Sequence, residues 1–476
     1  MSEFPTQLLI NGKWIDGSGD GLDITNPATE QSFAEISAAT AGEINQAVEA
    51  GQAAFESGWR DMPPGQRSEL LHHLARRIRD NVESIAQLET RNVGKPISDA
   101  RWEADAGAKV FEYYAGAIGH LCGQTIPVAR GGFDFTLRQP MGVIAAITPW
   151  NFPFLIACWK VAPALAAGNP VVLKPASLTP LTALLLGQLA QEAGLPDGVL
   201  QVVPGAGSEA GNALATHPLV RKIGFTGSTE IGAKIMKLAA NDIKRVSLEL
   251  GGKSPNIVFA DANWQHAADE SPMSVFANTG QDCCARSRMF VEQSIFDDFV
   301  NQFVAATEAL KIGDPTLDET QVGPMVCASQ RELSETFIAE ARDADRDIRT
   351  GGDRPGDSGF YLNPAVITGV ETVDRAWREE IFGPVVCMRP FTDEAEMLRE
   401  VNDTNFGLSG SVWSSDLNRA LRVARQVESG VISINTHSSV HTEAPFGGFK
   451  RSGLGRDLGM SAMEACTEVK NIYVGE

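Results

Sequence analysis

The sequence predicts an α/β protein with a doubly wound parallel sheet, and two observations lead to that prediction. Between residues 142 and 240, short apolar segments of strand length alternate with longer segments of helix length. Such alternation is typical of βαβ units, in which each helix returns the chain to the same edge of a parallel sheet. In addition, a length of 476 residues suits two or three domains better than a single core.

The region before this alternation is predicted to be mostly helical. From about residue 43 to residue 117, apolar residues recur at spacings of three and four, as in EINQAVEAGQAAF and RSELLHHLARRIRDNVESIAQLET. Two segments of strand character, QTIPV and FDFTLRQP, then flank Gly131 and Gly132 and indicate a hairpin-like pair. We expect this excursion to contact another subunit.

The alternating region supplies the βαβ units. Its strands are GVIAAITP, PVVLKP, VLQVVPG and RKIGFTG, and its helices are FLIACWKVAPALAAG, TPLTALLLGQLAQEAG, SEAGNALATH and TEIGAKIMKLAA. After RVSLELGGKSP, a second α/β region begins with PNIVFA, and the final segment CTEVKNIYV is predicted to be a strand without a partner nearby in sequence. Doubly wound sheets bind ligands at the carboxyl ends of their strands, so the functional residues are expected there.

The composition limits the partners and the compartment. The formal net charge is −20, which disfavours nucleic acid and anionic membranes because both would be repelled. The first residues lack the pattern of a signal peptide, and no apolar run approaches the ~18 residues of a spanning helix. Seven cysteines, an odd number without secretory features, indicate free thiols in a reducing compartment. We therefore expect a cytoplasmic protein with no nucleic-acid or membrane partner.

Two glycine-containing segments are candidates for phosphate binding. PGAGSEAG, residues 204–211, has the spacing G-x-G-x-x-x-G, which favours a structural turn over a dinucleotide fingerprint. GFTGSTEIG is better placed because it follows a strand and opens a helix, where Gly227 permits close approach of a phosphate and Ser228 can cap the helix. An ordinary capped junction would give the same pattern. Lys174, which closes the strand PVVLK at the same edge, favours the ligand site.

A cysteine and a glutamate are the candidate reactive residues. Glu249 alternates with apolar residues in RVSLELGG and precedes a glycine pair, which makes it a candidate base, although the strand alone fits a solvent-facing glutamate. Cys283 follows a glycine turn in NTGQDC and precedes the polar ARSR, and the alternative is a small buried core residue. Cys284 is expected to point away from whatever Cys283 faces. Asn151, in TPWNFP, could hold the oxyanion that thiol addition creates.

These segments together resemble the aldehyde dehydrogenase superfamily over nearly the whole chain. The motifs of that family occur in order as PWNFP, KPAS, GFTGSTEIG, LELGGKSP, GQDC, EEIFGPV and PFGGFKRSG. The resemblance implies that Cys283 is the nucleophile, Glu249 the general base, and Asn151 with the Cys283 backbone N–H the oxyanion hole. The cofactor-binding residues that it implies are Trp150, Lys174, Ser177, Gly227, Ser228, Gly232, Glu380 and Phe382.

The resemblance also implies an aldehyde dehydrogenase-like fold of three parts. A Rossmann-type cofactor domain would comprise residues 1–121 and 141–251, and a catalytic α/β domain residues 252–450. A small β oligomerisation arm, residues 122–140 and 451–476, would give CTEVKNIYV its missing partner. We accordingly expect a homodimer or a homotetramer, and we assign no residue to a metal.

The residue types fit the oxidation of an aldehyde to a carboxylic acid with NAD. A thiolate adds to the carbonyl carbon, hydride leaves for the cofactor, and the glutamate activates the water that hydrolyses the thioester. Ser177 stands where strictly NAD-dependent relatives commonly carry glutamate, so some use of NADP is also expected.

The identity of the aldehyde is less constrained. FPFLIACWKVAPALAAGNP resembles the betaine-aldehyde and aminoaldehyde branch, which implies an entrance lined by Phe152 and Trp159 on one helix face. Aromatic faces can hold an ammonium group, and the same resemblance implies that Glu103 and Asp105 are acids at the pocket mouth. The competing interpretation is a core Trp159 and a solvated Glu103. Phe152 also departs from the branch, whose members often have tyrosine there.

Other functions remain open. A broad-specificity aliphatic or aromatic aldehyde dehydrogenase would use the same catalytic residues. A coenzyme-A-acylating enzyme needs no water-activating base, so Glu249 argues against it. A cysteine hydrolase that pairs Cys283 with His437 or His441 would leave the βαβ units and GFTGSTEIG without a role.

Overall fold

The structure is a computed structural model that describes residues 4–475. Strands and helices are numbered in chain order. The strands are β1 (Leu8–Ile10), β2 (Lys13–Ile15), β3 (Gly21–Asn26), β4 (Gln31–Ser37), β5 (Thr125–Ile126), β6 (Phe133–Pro140), β7 (Val143–Ile147), β8 (Val171–Lys174), β9 (Leu200–Val202), β10 (Val220–Thr226), β11 (Arg245–Glu249), β12 (Pro255–Val258), β13 (Arg288–Glu292), β14 (Asp347–Thr350), β15 (Ala365–Thr368), β16 (Val385–Phe391), β17 (Ser409–Trp413), β18 (Val431–Ile434), β19 (Gly453–Leu454) and β20 (Thr467–Val474).

The helices alternate with these strands through most of the chain. They are α1 (Ala41–Ala54), α2 (Pro64–Asp80), α3 (Val82–Val93), α4 (Ile97–Ala117), α5 (Pro153–Ala166), α6 (Leu181–Glu192), α7 (Asn212–Thr216), α8 (Thr229–Ala239), α9 (Trp264–Glu270), α10 (Met273–Phe276), α11 (Phe296–Glu308), α12 (Ala328–Asp343), α13 (Arg375–Arg378), α14 (Glu394–Asn402), α15 (Leu417–Gln426) and α16 (Gly459–Glu464). Among the described residues, no helix is both long and apolar enough to span a bilayer.

The first sheet is the predicted doubly wound sheet. Its strand order is β19-β11-β10-β7-β8-β9-β1-β2, and the strands from β11 to β9 are parallel. The strand β7 is the first of the five parallel strands in the chain, but it is the middle one in the sheet. The strands β8 and β9 extend the sheet on one side of it, and β10 and β11 on the other. The fold prediction is therefore confirmed, and the winding direction changes between β7 and β10. Ligands of doubly wound sheets bind outside the carboxyl ends of the strands at such a point.

The parallel strands are buried because helices cover both faces of this sheet. All residues of β7 and β8 are buried, and so is every residue of α5, which packs against α4, α6 and both strands. A helix whose residues are buried all round must be surrounded by other elements, and the place of α5 between the sheet and its neighbouring helices meets that requirement. Phe152 precedes α5 and Trp159 lies on it, so the sheet fixes where both aromatic side chains stand.

The second sheet has the order β14-β15-β16-β13-β12-β17-β18 and is parallel except for β14 at its edge. The segment that contains the two adjacent cysteines leads into the internal strand β13. The second sheet therefore anchors the candidate nucleophile, whereas the first sheet anchors the candidate base on β11.

The terminal strand β20 has the partner that the sequence analysis assigned to it. It pairs antiparallel with β6 along its whole length, from Thr467 opposite Pro140 to Val474 opposite Phe133, and β5 completes a three-stranded sheet. This sheet begins later in the chain than the predicted boundary at residue 451. The strand β19 pairs instead with β11, and α16 packs on α5, so both belong with the first sheet.

Four short N-terminal strands, β1 to β4, had no counterpart in the sequence prediction. The strand β1 extends the first sheet by pairing with β9, and β3 pairs with β4 in a separate hairpin. Three apolar residues such as those of β1 are too few to display a period, so only the neighbouring strand identifies them.

Candidate active site

Four predicted site residues lie where parallel strands of the first sheet end. Asn151 follows β7, Lys174 ends β8, Ser228 follows β10, and Glu249 ends β11. Because these strands are parallel and lie side by side, their carboxyl ends meet at one edge. The fold thus brings together residues that are about 100 positions apart in the sequence.

A cavity of about 260 Å³ opens at this edge, between the first sheet and the segment before β13. Glu249, Cys283 and Cys284 all line it. Its apolar wall consists of Trp102, Phe152, Leu155, Ile156, Trp159, Leu250, Ala277, Leu408, Val440 and Phe446. Its other charged lining residues are Lys95, Asp99 and Asp282.

The turn before Cys283 has a strained backbone. Asn278 and Thr279 have φ angles of 48° and 58°, in the left-handed region, and Gly280 follows with φ 71°. Each such non-glycine residue costs on the order of 1–3 kcal/mol unless its surroundings hold it in place. The Asn278 amide donates to the Asn151 carbonyl oxygen at 2.9 Å, and the Thr279 hydroxyl donates to the Gly323 carbonyl oxygen at 2.9 Å. Tertiary hydrogen bonds therefore fix the approach to Cys283.

The Asn151 side chain is buried and directed toward the same segment. Its Nδ2 donates one hydrogen bond to the Gln281 carbonyl oxygen at 2.8 Å. A side-chain amide carries two N–H donors, so the second remains for another acceptor. The amide is thus oriented by the polypeptide that leads to Cys283.

Cys283 and Cys284 share the cavity, which corrects the expectation that Cys284 points away. The two Sγ atoms and a carboxylate oxygen of Asp282 all lie within 4.8 Å of one another. The expectation assumed strand-like alternation, but these residues lie before β13, in a segment without that alternation. A hydrogen bond with the Cys284 thiol and burial raise the pKa of Cys283 well above its usual range.

Glu249 is buried, not solvent-facing. Its relative exposure is 3%, and neither carboxylate oxygen has a hydrogen-bond partner among residues 4–475. Burial raises the pKa of Glu249 well above its usual range, and the negative charge of Asp457 raises it further. Lys160 acts in the opposite direction, but its ammonium is already paired with Asp457 at 2.9 Å. A desolvated carboxyl group without partners is suited to accept a proton from a molecule in the cavity.

The junction between β10 and α8 has the predicted helix cap. The Ser228 hydroxyl accepts a hydrogen bond from the Ile231 N–H at 3.3 Å. A Cβ added to Gly227 would lie 2.6 Å from the Phe225 ring, and one added to Gly232 would lie 2.5 Å from Leu250. The Phe225 ring leaves no room for a side chain at Gly227, and close packing of α8 on Leu250 accounts for Gly232, while the first-turn N–H groups stay at the ligand edge.

Lys174 and Ser177 follow β8 at that edge. Burial lowers the pKa of Lys174 to about 8, and its ammonium donates to the Pro175 carbonyl oxygen at 2.9 Å. The Ser177 hydroxyl donates to the carbonyl oxygen of Gly205, in the PGAGSEAG turn, at 3.1 Å. Ser177 does not cap the following helix, because α6 begins after Pro180 without a side-chain cap.

Three other predicted cofactor residues meet between the two sheets. Glu380 accepts a hydrogen bond from the Gly252 N–H at 2.9 Å, and burial raises the pKa of its carboxyl group to about 7. The rings of Trp150 and Phe382 are in edge-to-face contact, with 5.2 Å between centroids. Segments that are more than 200 positions apart thus contribute to one surface beside the cavity.

Glu103 does not lie at the pocket mouth, so that prediction of its location is wrong. Its side chain has no exposed surface, pairs with the buried Lys95, and accepts a hydrogen bond from the Leu155 N–H at 3.0 Å. Asp105 does not line the cavity either and pairs with Arg79 and Lys109, whereas the residues of α4 that do line it are Asp99 and Trp102. Small residues occur on several sides of α4, so the sequence does not show which side of the helix faces the cavity. The wrong acid was therefore selected.

The two predicted substrate aromatics have different surroundings. The Lys95 ammonium lies 4.2 Å from the centroid of the Phe152 ring, so a cation of the protein already occupies a face of that ring. Trp159 packs edge-to-face on Phe446 at 5.3 Å and lines the cavity. Phe446 was not selected from the sequence, although it lies within the recognised motif PFGGFKRSG.

Neither histidine proposed for a cysteine hydrolase lines the cavity. The His437 ring contacts Trp413 at 5.1 Å, and its Nε2 lies 3.4 Å from the Ser271 hydroxyl. Burial lowers the pKa of His437 to about 3, so it remains neutral near neutral pH. The geometry therefore gives no support to a Cys–His hydrolase.

The cavity places a thiol beside a desolvated carboxyl group at the ligand edge of a doubly wound sheet. This arrangement suits an enzyme that forms covalent adducts with carbonyl compounds. The family model described as "Aldehyde dehydrogenase family" matches residues 14–472, and the chain belongs to that family. The predictions of an aldehyde dehydrogenase, and hence of an oxidoreductase, are thereby confirmed.

Three similar proteins illustrate the range of relatives. Betaine aldehyde dehydrogenase 1 of Oryza sativa subsp. japonica is 43% identical, over 98% of this chain and 94% of the relative. Phenylacetaldehyde dehydrogenase of Pseudomonas fluorescens is 42% identical, over 99% and 96%. The solved NAD⁺ complex of an aldehyde dehydrogenase from Bacillus cereus is 38% identical, with a TM-score of 0.97 and coverage of 98% and 96%.

The buried location of Glu103 predicts a structural role. Replacing it in Glu103→Ala leaves Lys95 with only the more distant Glu89, 3.6 Å away, inside the protein. Breaking a buried ion pair costs about 3–5 kcal/mol, so the free energy of unfolding measured with urea should fall by that amount. The control Asp105→Ala, on the same helix, breaks partly exposed pairs with Arg79 and Lys109 and should cost at most about 1 kcal/mol. Equal small effects would contradict this assignment.

Proposed function

We propose that the protein oxidises an aldehyde to its carboxylic acid with NAD, through a covalent adduct on Cys283. The observation that carries the proposal is the unpartnered, buried carboxyl group of Glu249 in the same cavity as the Cys283 thiol. The other proposed residues follow from their positions around that pair. The proposed cofactor domain (residues 1–121 and 141–251) supplies the base, and the proposed catalytic domain (252–450) supplies the nucleophile.

In the first step, the Cys283 thiol loses its proton and the sulfur adds to the aldehyde carbon. Because the pKa of Cys283 is raised, the proton needs an acceptor, and solvent that reaches the cavity can take it. The addition converts the carbonyl oxygen to an oxyanion. The second N–H of the Asn151 amide and the Cys283 backbone N–H are the proposed donors to that oxyanion.

The residues at the sheet edge fit a dinucleotide. The N–H groups at the start of α8 favour phosphate, Lys174 and Glu380 can bond to ribose hydroxyls, and Trp150 and Phe382 offer flat apolar surface. NAD, when bound, supplies a hydride acceptor. The related enzyme from Bacillus cereus has been solved as an NAD⁺ complex, which supports the same cofactor here.

In the last step, Glu249 removes a proton from the water that hydrolyses the Cys283 thioester. A general base works best when its pKa lies near the operating pH, and burial moves Glu249 in that direction. A coenzyme-A-acylating enzyme would leave this buried carboxyl group without a task. We therefore propose hydrolysis as the fate of the thioester.

For the substrate we propose an aminoaldehyde, such as 4-aminobutyraldehyde or betaine aldehyde. Three acidic side chains, Asp99, Glu249 and Asp282, line the cavity, whereas the charge of Lys95 is already paired with Glu103. Trp159 adds an aromatic surface that can stabilise an ammonium group. The occupied face of Phe152 argues against the same role for that ring. A broad-specificity aliphatic or aromatic enzyme is the alternative.

For the assembly we propose a homodimer or homotetramer that uses the sheet of β5, β6 and β20. That sheet exposes a set of large apolar side chains: Ile126, Phe133, Leu137, Val469, Tyr473 and Val474. Apolar side chains gathered on one small sheet are typical of a surface that binds another chain.

The cytoplasmic location stays a prediction that rests on the composition of the chain.

Replacing the base should separate the two halves of the reaction. In Glu249→Gln, the thioester can still form but its hydrolysis lacks a base, so we expect a burst of NADH of up to one equivalent per active site, followed by slow turnover. Stopped-flow absorbance measures both phases. Turnover by the wild type should fall as the pH drops through the raised pKa of Glu249, because only the carboxylate form accepts the proton.

The control for this experiment is Cys283→Ser, which should give neither burst nor turnover. Cys284→Ser should retain most of the dehydrogenase activity, because its side chain does not form the adduct. Equal loss in both serine variants would contradict the choice of Cys283 as the nucleophile. A Glu249→Gln enzyme without a burst would instead show that Glu249 acts mainly on the thiol.

The charge of the substrate should matter at Asp99. In Asp99→Asn, kcat/KM for 4-aminobutyraldehyde should fall about fivefold, since one partly screened charge contributes ~1 kcal/mol, while kcat/KM for pentanal stays unchanged. Asp105→Asn is the matched control, because Asp105 lies on the same helix and does not line the cavity. A wild type that prefers hexanal or phenylacetaldehyde would refute the aminoaldehyde proposal and favour the broad-specificity enzyme.

The coenzyme preference should depend on Ser177. An acid at this position would repel the 2′-phosphate of NADP and could still bond to ribose hydroxyls of NAD. We expect the wild type to use NAD well and NADP measurably, and Ser177→Glu to lower kcat/KM for NADP about tenfold while sparing NAD. Ser177→Ala, which adds no charge, should affect both coenzymes alike. A wild type that does not use NADP, or a Ser177→Glu enzyme that loses both coenzymes equally, would refute the assignment.

A further inference from the structure

We propose that Asp282, Cys283 and Cys284 form a binding site for a soft divalent metal ion, such as Zn²⁺ or Cd²⁺, which inhibits the enzyme reversibly. The inhibition rests on the proposed function of Cys283, whereas the binding itself does not. The site depends on the second thiol, which the proposed reaction does not use.

The three ligand atoms have the spacing of a metal site. Both Sγ atoms and one Asp282 carboxylate oxygen lie within 4.8 Å of one another. Ligand atoms in a tetrahedral Zn²⁺ site are about 3.5–4 Å apart, given metal distances of roughly 2.3 Å to sulfur and 2.1 Å to oxygen. Side-chain movements of about 1 Å or less would therefore close the site around an ion.

The surroundings of the three ligands leave a coordination position open. Asp282, Cys283 and Cys284 all line the cavity of about 260 Å³, so a fourth ligand from solvent can reach the ion. Trp102, at the same cavity, is 58% exposed, which places solvent at the cavity wall. Three protein ligands and one open position resemble accessible metal sites, not the closed sites that only stabilise a fold.

The ligand types select the class of metal. Two sulfurs and one oxygen favour soft or borderline ions such as Cd²⁺ and Zn²⁺ over Mg²⁺ and Ca²⁺, which prefer oxygen ligands. One Asp282 oxygen already accepts a hydrogen bond from the Cys284 N–H at 2.8 Å, which orients the carboxylate beside the thiols. Backbone geometry thus holds the oxygen ligand in place before any ion arrives.

The cavity around the site is lined by more acidic than basic side chains. Asp99 and Glu249 line the same cavity, and the ammonium of Lys95 is paired with Glu103. Arg286 opposes binding because it is buried next to Cys284, but its guanidinium donates to the Cys284 carbonyl oxygen and to the Ser439 hydroxyl. The guanidinium also contacts the Cys284 side chain, so its positive charge remains a cost that the metal–ligand bonds must offset.

Binding needs no oxidant. Each thiol loses one proton to solvent, two metal–sulfur bonds and one metal–oxygen bond form, and the oxidation states stay unchanged. The Cys283 electron pair that would attack the aldehyde is then held by the metal. Aldehyde oxidation stops while the ion is bound and resumes when a chelator removes it.

The test uses Cd²⁺ and the full-length protein, because cadmium–thiolate bonds absorb in the near ultraviolet in proportion to the number of thiolates. With the wild type we expect a saturable absorption band with the intensity of two cadmium–thiolate bonds, and EDTA should remove it. With Cys284→Ala the band should fall to about half, and the inhibition constant for Zn²⁺, measured against that variant's own rate, should rise at least about tenfold. Cys122→Ala, which removes an exposed thiol elsewhere, should change neither quantity.

Two further measurements keep the proposal falsifiable. Asp282→Asn should preserve the band of two thiolates but weaken binding, which provides a second variant if Cys284→Ala does not fold. An unchanged Cd²⁺ band and unchanged Zn²⁺ inhibition in both variants would overturn the proposal. The Cd²⁺ band is recorded without aldehyde or NAD, so a protein that binds Cd²⁺ as expected but oxidises no aldehyde would refute the proposed function and leave the metal site standing.

Discussion

The carboxyl group of Glu249 is held away from water and has no hydrogen-bond partner in the part of the chain that the structure describes, and much of the surrounding structure is needed to maintain that state. Removing an ionised carboxylate from water costs several kcal/mol, and here no donor offsets the cost. The packing of two sheets must therefore hold the side chain in place. A Cβ added to Gly447, whose φ is 155°, would lie 2.6 Å from a Glu249 oxygen, so the loop after Phe446 closes directly over the carboxyl group.

The parallel strands explain how this constraint is met by residues far apart in the chain. The strand β11 ends at Glu249, and β7 leads to Asn151, which holds the segment before Cys283 by a hydrogen bond to the Gln281 carbonyl oxygen. The left-handed turn at Asn278 and Thr279 returns a hydrogen bond to the Asn151 carbonyl oxygen. The thiol, the amide and the carboxyl group are thus connected through backbone atoms, which restricts their relative motion more than side-chain packing alone would.

Regular and irregular parts of the backbone differ in how well the sequence predicts them. Buried parallel strands and their helices have periodic patterns, so the edge where Lys174, Ser228 and Glu249 meet could be predicted. The location of Cys284 could not, because the segment before β13 is not a strand and alternation does not apply to it. Glu103 was misplaced for another reason: a buried acid is acceptable only with a partner such as Lys95, and that pairing appears only in the tertiary structure.

Discrimination among aldehydes must come from a few side chains, because relatives named for a charged and for an aromatic substrate are equally similar to this chain. The aromatic wall suits both kinds of substrate, and the Lys95–Glu103 pair contributes no net charge. Of the acids that line the cavity, Glu249 is the proposed base and Asp282 is next to the proposed nucleophile, so Asp99 is the one that we propose distinguishes them. Burial raises the pKa of Asp99, so its carboxylate is present only above that raised pKa, and attraction for an ammonium group disappears as the pH falls through it. A cation bound in the cavity would in turn lower the pKa of Asp99. Binding of a positively charged substrate and ionisation of the Asp99 carboxyl group would therefore favour each other.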